Sequence, residues 1–271
     1  MPPEIPTLPQ LSILALAVVA LGIGIVLSVF RSRGNEKLRV PMKMLYYWGL
    51  SLAIVVVFWH TVRRGHWTPL ESNFDTLVSL GVILGVFVMY LQKRRPVAGL
   101  DWFVMPMVMM LLLLGGVFGR TKLHAYLPTA WSVLHLVGVF GGAVAFALAG
   151  ATGAMYLLSN QRLRNKTALP GSKFASLERL EHVTYLSVTL GFGLLTLGAL
   201  MGFLWLLRDE TKVLPPGKII LTGVIWVIYA IILHTPINPS FRGRKTAMLS
   251  IAGFILMIAT VVAVQFVPSG K

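Results

Sequence analysis

Residues 127–164 read LPTAWSVLHLVGVFGGAVAFALAGATGAMYLLSNQRLR, and residues 176–205 read SLERLEHVTYLSVTLGFGLLTLGALMGFLW. Each run stays apolar for longer than the ~20 residues a helix needs to cross ~30 Å of hydrocarbon. The two stretches therefore predict long membrane-crossing helices separated by a short basic connection. His135 sits near the start of the first. The second opens on Leu177-Glu178-Arg179-Leu180-Glu181. A histidine inside an apolar membrane helix is costly to bury, which makes His135 a functional candidate.

Working outward, the composition agrees. Of 271 residues, 56% are hydrophobic and only 12% charged, against roughly 25% charged in a soluble domain. This predicts an integral membrane protein. Lys and Arg number 24 against 9 Asp and Glu. The basic residues fall in short clusters between apolar runs, which is the pattern of membrane topology with anionic lipid as counter-charge, and not of nucleic-acid binding. The chain has no cysteine. That removes disulfides, thiolate haem ligation, covalent haem attachment to this chain and thiol redox chemistry.

Eight spans are predicted, at about 11–30, 44–62, 74–92, 100–118, 129–158, 182–207, 217–234 and 246–267, giving an all-α bundle in one transmembrane domain over 1–271. The first run is read as a span and not a signal peptide, because MPPEIPTLPQ before it carries an acid and no base. The connections holding Arg31 to Lys43, Lys93 to Arg95, Arg162 to Arg179 and Arg242 to Lys245 are the more basic set. The positive-inside rule places them in the cytoplasm and both termini on the outer side of the cell (inner) membrane. The glycine pairs Gly81/Gly85, Gly115/Gly119, Gly138/Gly142 and Gly198/Gly202 recur at the spacing of helix-packing seams. Pro106 lies within the fourth span, and the fifth is longer than a bilayer requires.

With no cysteine and few acids, histidine is the main chemical resource. Imidazole is a common axial ligand of haem iron. His135 lies just after Trp131, so the residues themselves allow an axial ligand at the outer surface or a histidine bonded to a backbone carbonyl. His234 ends the seventh span in WVIYAIILHTP, as a ligand near the inner face or an interfacial histidine. His66 lies in RRGHWTPLESNFD, whose arginines suit haem propionates, although an ordinary polar loop reads the same way. His60 and His124 are expected at the interface, and His182 in the polar start of a helix beside Glu181. Trp48, Trp59, Trp102, Trp131 and Trp205 lie near span ends as an aromatic belt would. Met105, Met107, Met109 and Met110 read as soft packing residues. Glu71, Asp75 and Asp101 fall at span margins, which leaves no carboxylate expected inside a span for a proton relay.

Four segments in order carry a resemblance. GHWTPLESNFDTL (65–77) is similar to a G-H-x-P-L-x-x-x-Y/F-E pattern, with Asp75 for the usual Glu. LPTAWSVLHLVGVFGGAVAF resembles a helix opening W-L-x-x-H-V. SLERLEHVTYLSVTLGFGLLTLGALMGFLW follows L-x-x-L-x-x-x-x-Y-x-x-x-x-x-G-F-x-x-L-T-x-G-x-x-x-G-x-x-W. WVIYAIILHTPINPSFRGRKTAMLSIAGF resembles W-x-x-Y-A-x-x-L-H followed by G-R-x-x-A-x-x-x-x-x-G-F. Together they resemble the cytochrome c assembly family of haem-handling membrane proteins, of the CcsA, CcmC and HemX type.

The resemblance implies transient binding of haem b, with an outer iron ligand at His135 beside Trp131 and an intramembrane ligand at His234. His66 lies in the matched outer segment and joins the candidate haem-binding residues. The implied partners are haem, a CcsB/ResB-like membrane protein and apocytochrome c, and the implied role is positioning haem for attachment, with no catalytic residue assigned. Two departures stand out. The connection LWLLRDETKVLPPGK lacks the family synthases' tryptophan-rich W-G-x-x-W-x-W-D loop, and AVQFVPSGK after the last span holds no second outer histidine. Both fit the HemX-like branch better, in which a membrane accessory acts on haem synthesis or assembly without binding haem. A small-molecule transporter is a third, weaker reading.

Overall fold

The computed structural model describes residues 6–32, 35–64, 73–94, 96–119, 130–165, 175–208, 216–233 and 243–263. They form eight α-helices, with one turn of 3-10 helix at Glu36–Leu38, and no strand occurs among them. The helices are α1 Leu8–Ser32, α2 Arg39–Arg64, α3 Asn73–Arg94, α4 Leu100–Phe118, α5 Ala130–Arg164, α6 Leu177–Arg208, α7 Pro216–Leu233 and α8 Arg244–Ala263. Over the described residues α1 to α6 are each long and apolar enough to cross a membrane, and α7 carries a shorter apolar run, Thr222–Leu233. The protein is an all-α, multi-pass membrane protein. Its helices pack as two compact units, α1–α4 and α5–α8.

In the first unit each helix touches two neighbours, α1 with α2 and α4, and α3 with α2 and α4. The face α1 turns inward carries Leu14, Ala17 and Leu21, and the opposite stripe of Leu16, Val19, Ile23, Val26 and Phe30 is exposed. A helix apolar on both faces suits lipid on one side and protein on the other. The α3–α4 turn is tight: Gln92 brackets Val97, donating from Nε2 to its carbonyl at 2.9 Å and accepting its N–H on Oε1 at 3.1 Å. Gly99 follows at φ 86°, a conformation other residues rarely adopt.

Asp75 and Asp101 open α3 and α4, at the helix margins the sequence indicated. Both are nonetheless buried, at 0% and 5% exposure. Each is tied to a neighbouring helix by a basic or polar group. Asp101 Oδ2 lies 3.7 Å from the Arg31 guanidinium and accepts from Ser28 Oγ at 3.4 Å. Asp75 meets His60. The carboxylates therefore stand at the helix ends, as the sequence expects, but buried between packed helices, and the cost of burying them is met by partners.

In the second unit α5 packs on α6 and α8, and α7 bridges α6 and α8. The seam between α5 and α6 is the closest. A Cβ on Gly138 would fall 2.7 Å from the backbone of Gly198, and one on Gly142 3.2 Å from the Gly191 carbonyl. Only glycine permits such approach, as the small-residue spacing predicts. Thr152 and Thr184 link the same helices through their hydroxyls at 2.7 Å. On the other face of α5, Gly150 lies under Phe254 and Gly153 under the Ala247 carbonyl. α5 and α6 run on to 35 and 32 residues, so the polar SNQRLR and LERLE segments are helical. Ser176 Oγ accepts the Arg179 N–H at the start of α6, which satisfies one of the free first-turn donors.

Candidate functional site

The α5–α6 seam fixes what surrounds His135. Gly138, one turn further along α5, rests on Gly198, so the imidazole is carried against the next turn of α6. His135 Nδ1 lies 2.6 Å from the Gly198 carbonyl oxygen. A carbonyl only accepts, so Nδ1 holds the proton and donates it. The ring is thereby set in the tautomer whose lone pair is on Nε2, the form a metal requires. Gly202 makes the space: a Cβ there would come within 2.7 Å of Nδ1 and 2.8 Å of Cε1. His135 is half-buried, as is Trp131 one turn before it on the same helix. The carbonyl bond that the residues alone left open is present, and it is compatible with ligation because it engages the other ring nitrogen.

α7, whose last described residue is Leu233, is held in the same unit by two aromatics of the WVIYAIILHTP segment. Trp226 Nε1 donates to Thr196 Oγ1 of α6 at 3.0 Å, and its ring lies 5.0 Å from that of Phe192. Tyr229 stacks on Phe146 of α5, centroids 3.5 Å apart and planes within 6°. The candidate ligand His234 follows directly and lies outside the described residues, as do His66 and His124. Of the four candidate haem contacts, His135 and Trp131 are thus placed on one helix.

His182 is exposed at the start of α6 as expected. The neighbouring Glu181 accepts the Gly243 N–H at 3.1 Å, tying α6 to the start of α8 where Gly243 turns at φ 68°.

His60 is placed differently from its sequence expectation. It is 2% exposed, its ring packed between helices and not turned outward. Its Nδ1 lies 2.9 Å from Asp75 Oδ1, linking α2 to α3. Leu50, Ala53, Val56 and His60 form one buried stripe of α2.

A family model described as cytochrome C assembly protein matches residues 11–270. Among curated relatives, the cytochrome c biogenesis protein CcsA of Prochlorococcus marinus strain NATL1A is 26% identical over 244 residues, covering 82% of this chain and 70% of its own. Its counterpart from strain MIT 9301 is 23% identical over 264 residues, covering 86% and 80%. That of subsp. pastoris is 26% identical over 281 residues, covering 90% and 85%. No solved structure matches. A match running almost from end to end of the chain, over a fold of apolar helices, makes this protein a member of the cytochrome c assembly protein family.

Proposed function

We propose that the chain handles haem in cytochrome c maturation, holding it on the outer side of the cell membrane in an orientation suited to its attachment to apocytochrome c. The observation that carries this reading is the seating of His135, with the imidazole proton engaged by the Gly198 carbonyl and the Gly202 position clear of side chain. A single fixed imidazole, half-buried at the end of a membrane helix, is what a transiently held haem b requires from the protein, since the porphyrin supplies four of the iron ligands itself. Trp131, one turn away, offers an apolar surface to the macrocycle.

When bound, haem supplies the vinyl groups to which cysteine thiols add. The chain supplies ligation and orientation. His135 would hold the iron, with the Gly198 carbonyl keeping the ring in the ligating tautomer and the α5–α6 seam keeping the ring from swinging. His234 would provide an intramembrane ligand in the same scheme, and His66 with the neighbouring arginines would meet the propionates. Both helical units belong to one membrane domain, with both termini outside. A CcsB/ResB-like membrane protein and apocytochrome c are the partners. The names of the relatives support this assignment, being cytochrome c biogenesis proteins.

The test is the absorption spectrum of the detergent-purified protein, oxidised and reduced, beside His135→Ala and His234→Ala. A Soret band that weakens in either variant supports ligation by that histidine. No band in the wild type, even with haem supplied, overturns haem handling. It would favour the accessory role to which the missing tryptophan cluster in 206–218 also points.

A further inference from the structure

The second unit holds a small cleft that the haem reading does not use. Tyr156 of α5, Glu181 and Thr184 of α6, and Gly243, Thr246 and Ala247 where α8 begins line it. It lies about 30 Å along α5 from His135, at 1.5 Å per residue. This is the end of the unit with the basic connections Arg162 to Arg179 and Arg242 to Lys245. Its volume of ≈ 10 Å³ is room for about one water-sized group. Gly243 keeps that room open. It turns at φ 68°, and a Cβ there would stand 2.6 Å from the Tyr156 hydroxyl oxygen.

Glu181 is the charged wall of this cleft. It is half-buried, and its Oε1 accepts the Gly243 N–H at 3.1 Å. An ionised carboxylate has about four acceptor sites, so one backbone donor leaves most of them unused. Basic residues crowd the neighbouring sequence, with Arg179 before Glu181 and Arg244 and Lys245 after Gly243. Among the described residues, however, none of them pairs with Glu181. The carboxylate and the Tyr156 hydroxyl thus present acceptors to a space sized for one small cationic group.

We propose that this cleft binds the primary ammonium of an aminophospholipid, phosphatidylethanolamine, from the adjoining membrane leaflet. An ammonium has three donors and no acceptor, which matches a wall of carboxylate and hydroxyl oxygens. A trimethylammonium is much larger and donates no hydrogen bond, so size and chemistry alike exclude a choline headgroup. The rest of the lipid also finds a place. Arg179 and Arg244, exposed in the first turns of α6 and α8, supply positive charge for the phosphate. Arg244, Met248, Ala252 and Ile255 follow at helical spacing along one face of α8. That face is exposed throughout, Met248 by 52% and Ile255 by 60%, so it runs from the headgroup level into an apolar surface for an acyl chain. A soluble amine would meet the carboxylate and make no use of that face.

Native mass spectrometry of the full-length protein in detergent tests this. The probes are phosphatidylethanolamine, phosphatidylcholine and phosphatidylglycerol with identical acyl chains. The wild type should bind the ethanolamine lipid about tenfold or more tightly than the choline lipid, the scale of one hydrogen bond between charged partners. Glu181→Gln keeps an acceptor for the Gly243 N–H and removes the charge. It should abolish that preference without weakening phosphatidylglycerol binding. Tyr156→Phe should reduce the preference, and it decides the matter where Glu181→Gln does not fold. Equal binding of the ethanolamine and choline lipids by the wild type overturns the proposal and leaves the cleft to water. So does a preference unchanged in both variants. Displacement of the lipid by free ethanolamine at equal concentration overturns it as well, because the amine would then come from solution. The haem spectrum should be the same in wild type and both variants, so this site and the His135 reading stand or fall separately.

Discussion

Gly202 of α6 lies directly against the imidazole of His135 on α5, so close that a Cβ at 202 would stand 2.7 Å from Nδ1. The ring is not the loose end of a long side chain. It cannot yield without leaving the Gly198 carbonyl that it bonds at 2.6 Å.

Gly202→Ala is therefore expected to displace the imidazole and break that bond. A neutral hydrogen bond of this kind is worth about 0.5–1.5 kcal/mol, so haem affinity should fall up to about tenfold. Gly193→Ala lies on the same helix, meets nothing within 4 Å, and should leave affinity unchanged. Haem titration of the two variants checks the contrast. Equal affinities would dissociate Gly202 from the ligand position.

Gly138→Val should open the α5–α6 seam, because its Cβ would fall 2.7 Å from both the nitrogen and the Cα of Gly198. Backbone cannot give way as a side-chain tip can, and overpacking typically costs about 1–3 kcal/mol. Thermal unfolding in detergent should show a clear drop in midpoint. Gly193→Val, with open space around it, supplies the control for the helix propensity of valine.

The Tyr229 ring stacks on Phe146, whereas its hydroxyl is buried with no partner among the described residues. Tyr229→Phe keeps the stack and removes an unsatisfied group, so stability should hold or rise slightly. Tyr229→Ala forfeits the stack, worth about 0.5–1.5 kcal/mol beyond the area buried, and leaves a cavity. Stability to denaturant in detergent should rank Phe at or above wild type and Ala well below. A Phe variant as weak as Ala would mean that the hydroxyl, and not the ring, anchors α7.

Because the chain has no cysteine, any thiol introduced is the only one present. Cysteine at Lys37 should react with an impermeant maleimide only after the membrane is opened, and cysteine at Arg63 should react in intact cells. The reverse pattern would invert the topology drawn from the Lys and Arg clusters.

Spans, helix count and packing seams were legible because length and small-residue spacing report them directly. The pairs Gly138/Gly142 and Gly198/Gly202 sit where α5 and α6 meet. The helical course of SNQRLR and LERLE was not, since hydropathy ends where these charges begin, while Ser176 and the contact of the two helices carry the helix on. His135 was legible as a residue, but its tautomer was not, since that depends on a carbonyl 63 positions away. His60 was misplaced for a different reason. On a membrane helix the lipid face and the protein face are both apolar, so the contrast that betrays the buried side of a soluble helix is muted. The stripe Leu50, Ala53, Val56, His60 was visible only once its burial was known.

The extent of α5 has a mechanical consequence. At 1.5 Å per residue its 35 residues measure about 52 Å, against a hydrocarbon core of ~30 Å. The helix starts at Ala130, only a few residues before His135, so almost all of the excess lies at the Arg164 end, where α6 begins with its own charged turn. The excess length is expected to be taken up by tilt or to carry the charged ends of α5 and α6 side by side beyond the hydrocarbon. A soluble protein approaching the Arg164 side would meet those charged helical turns before it reached lipid.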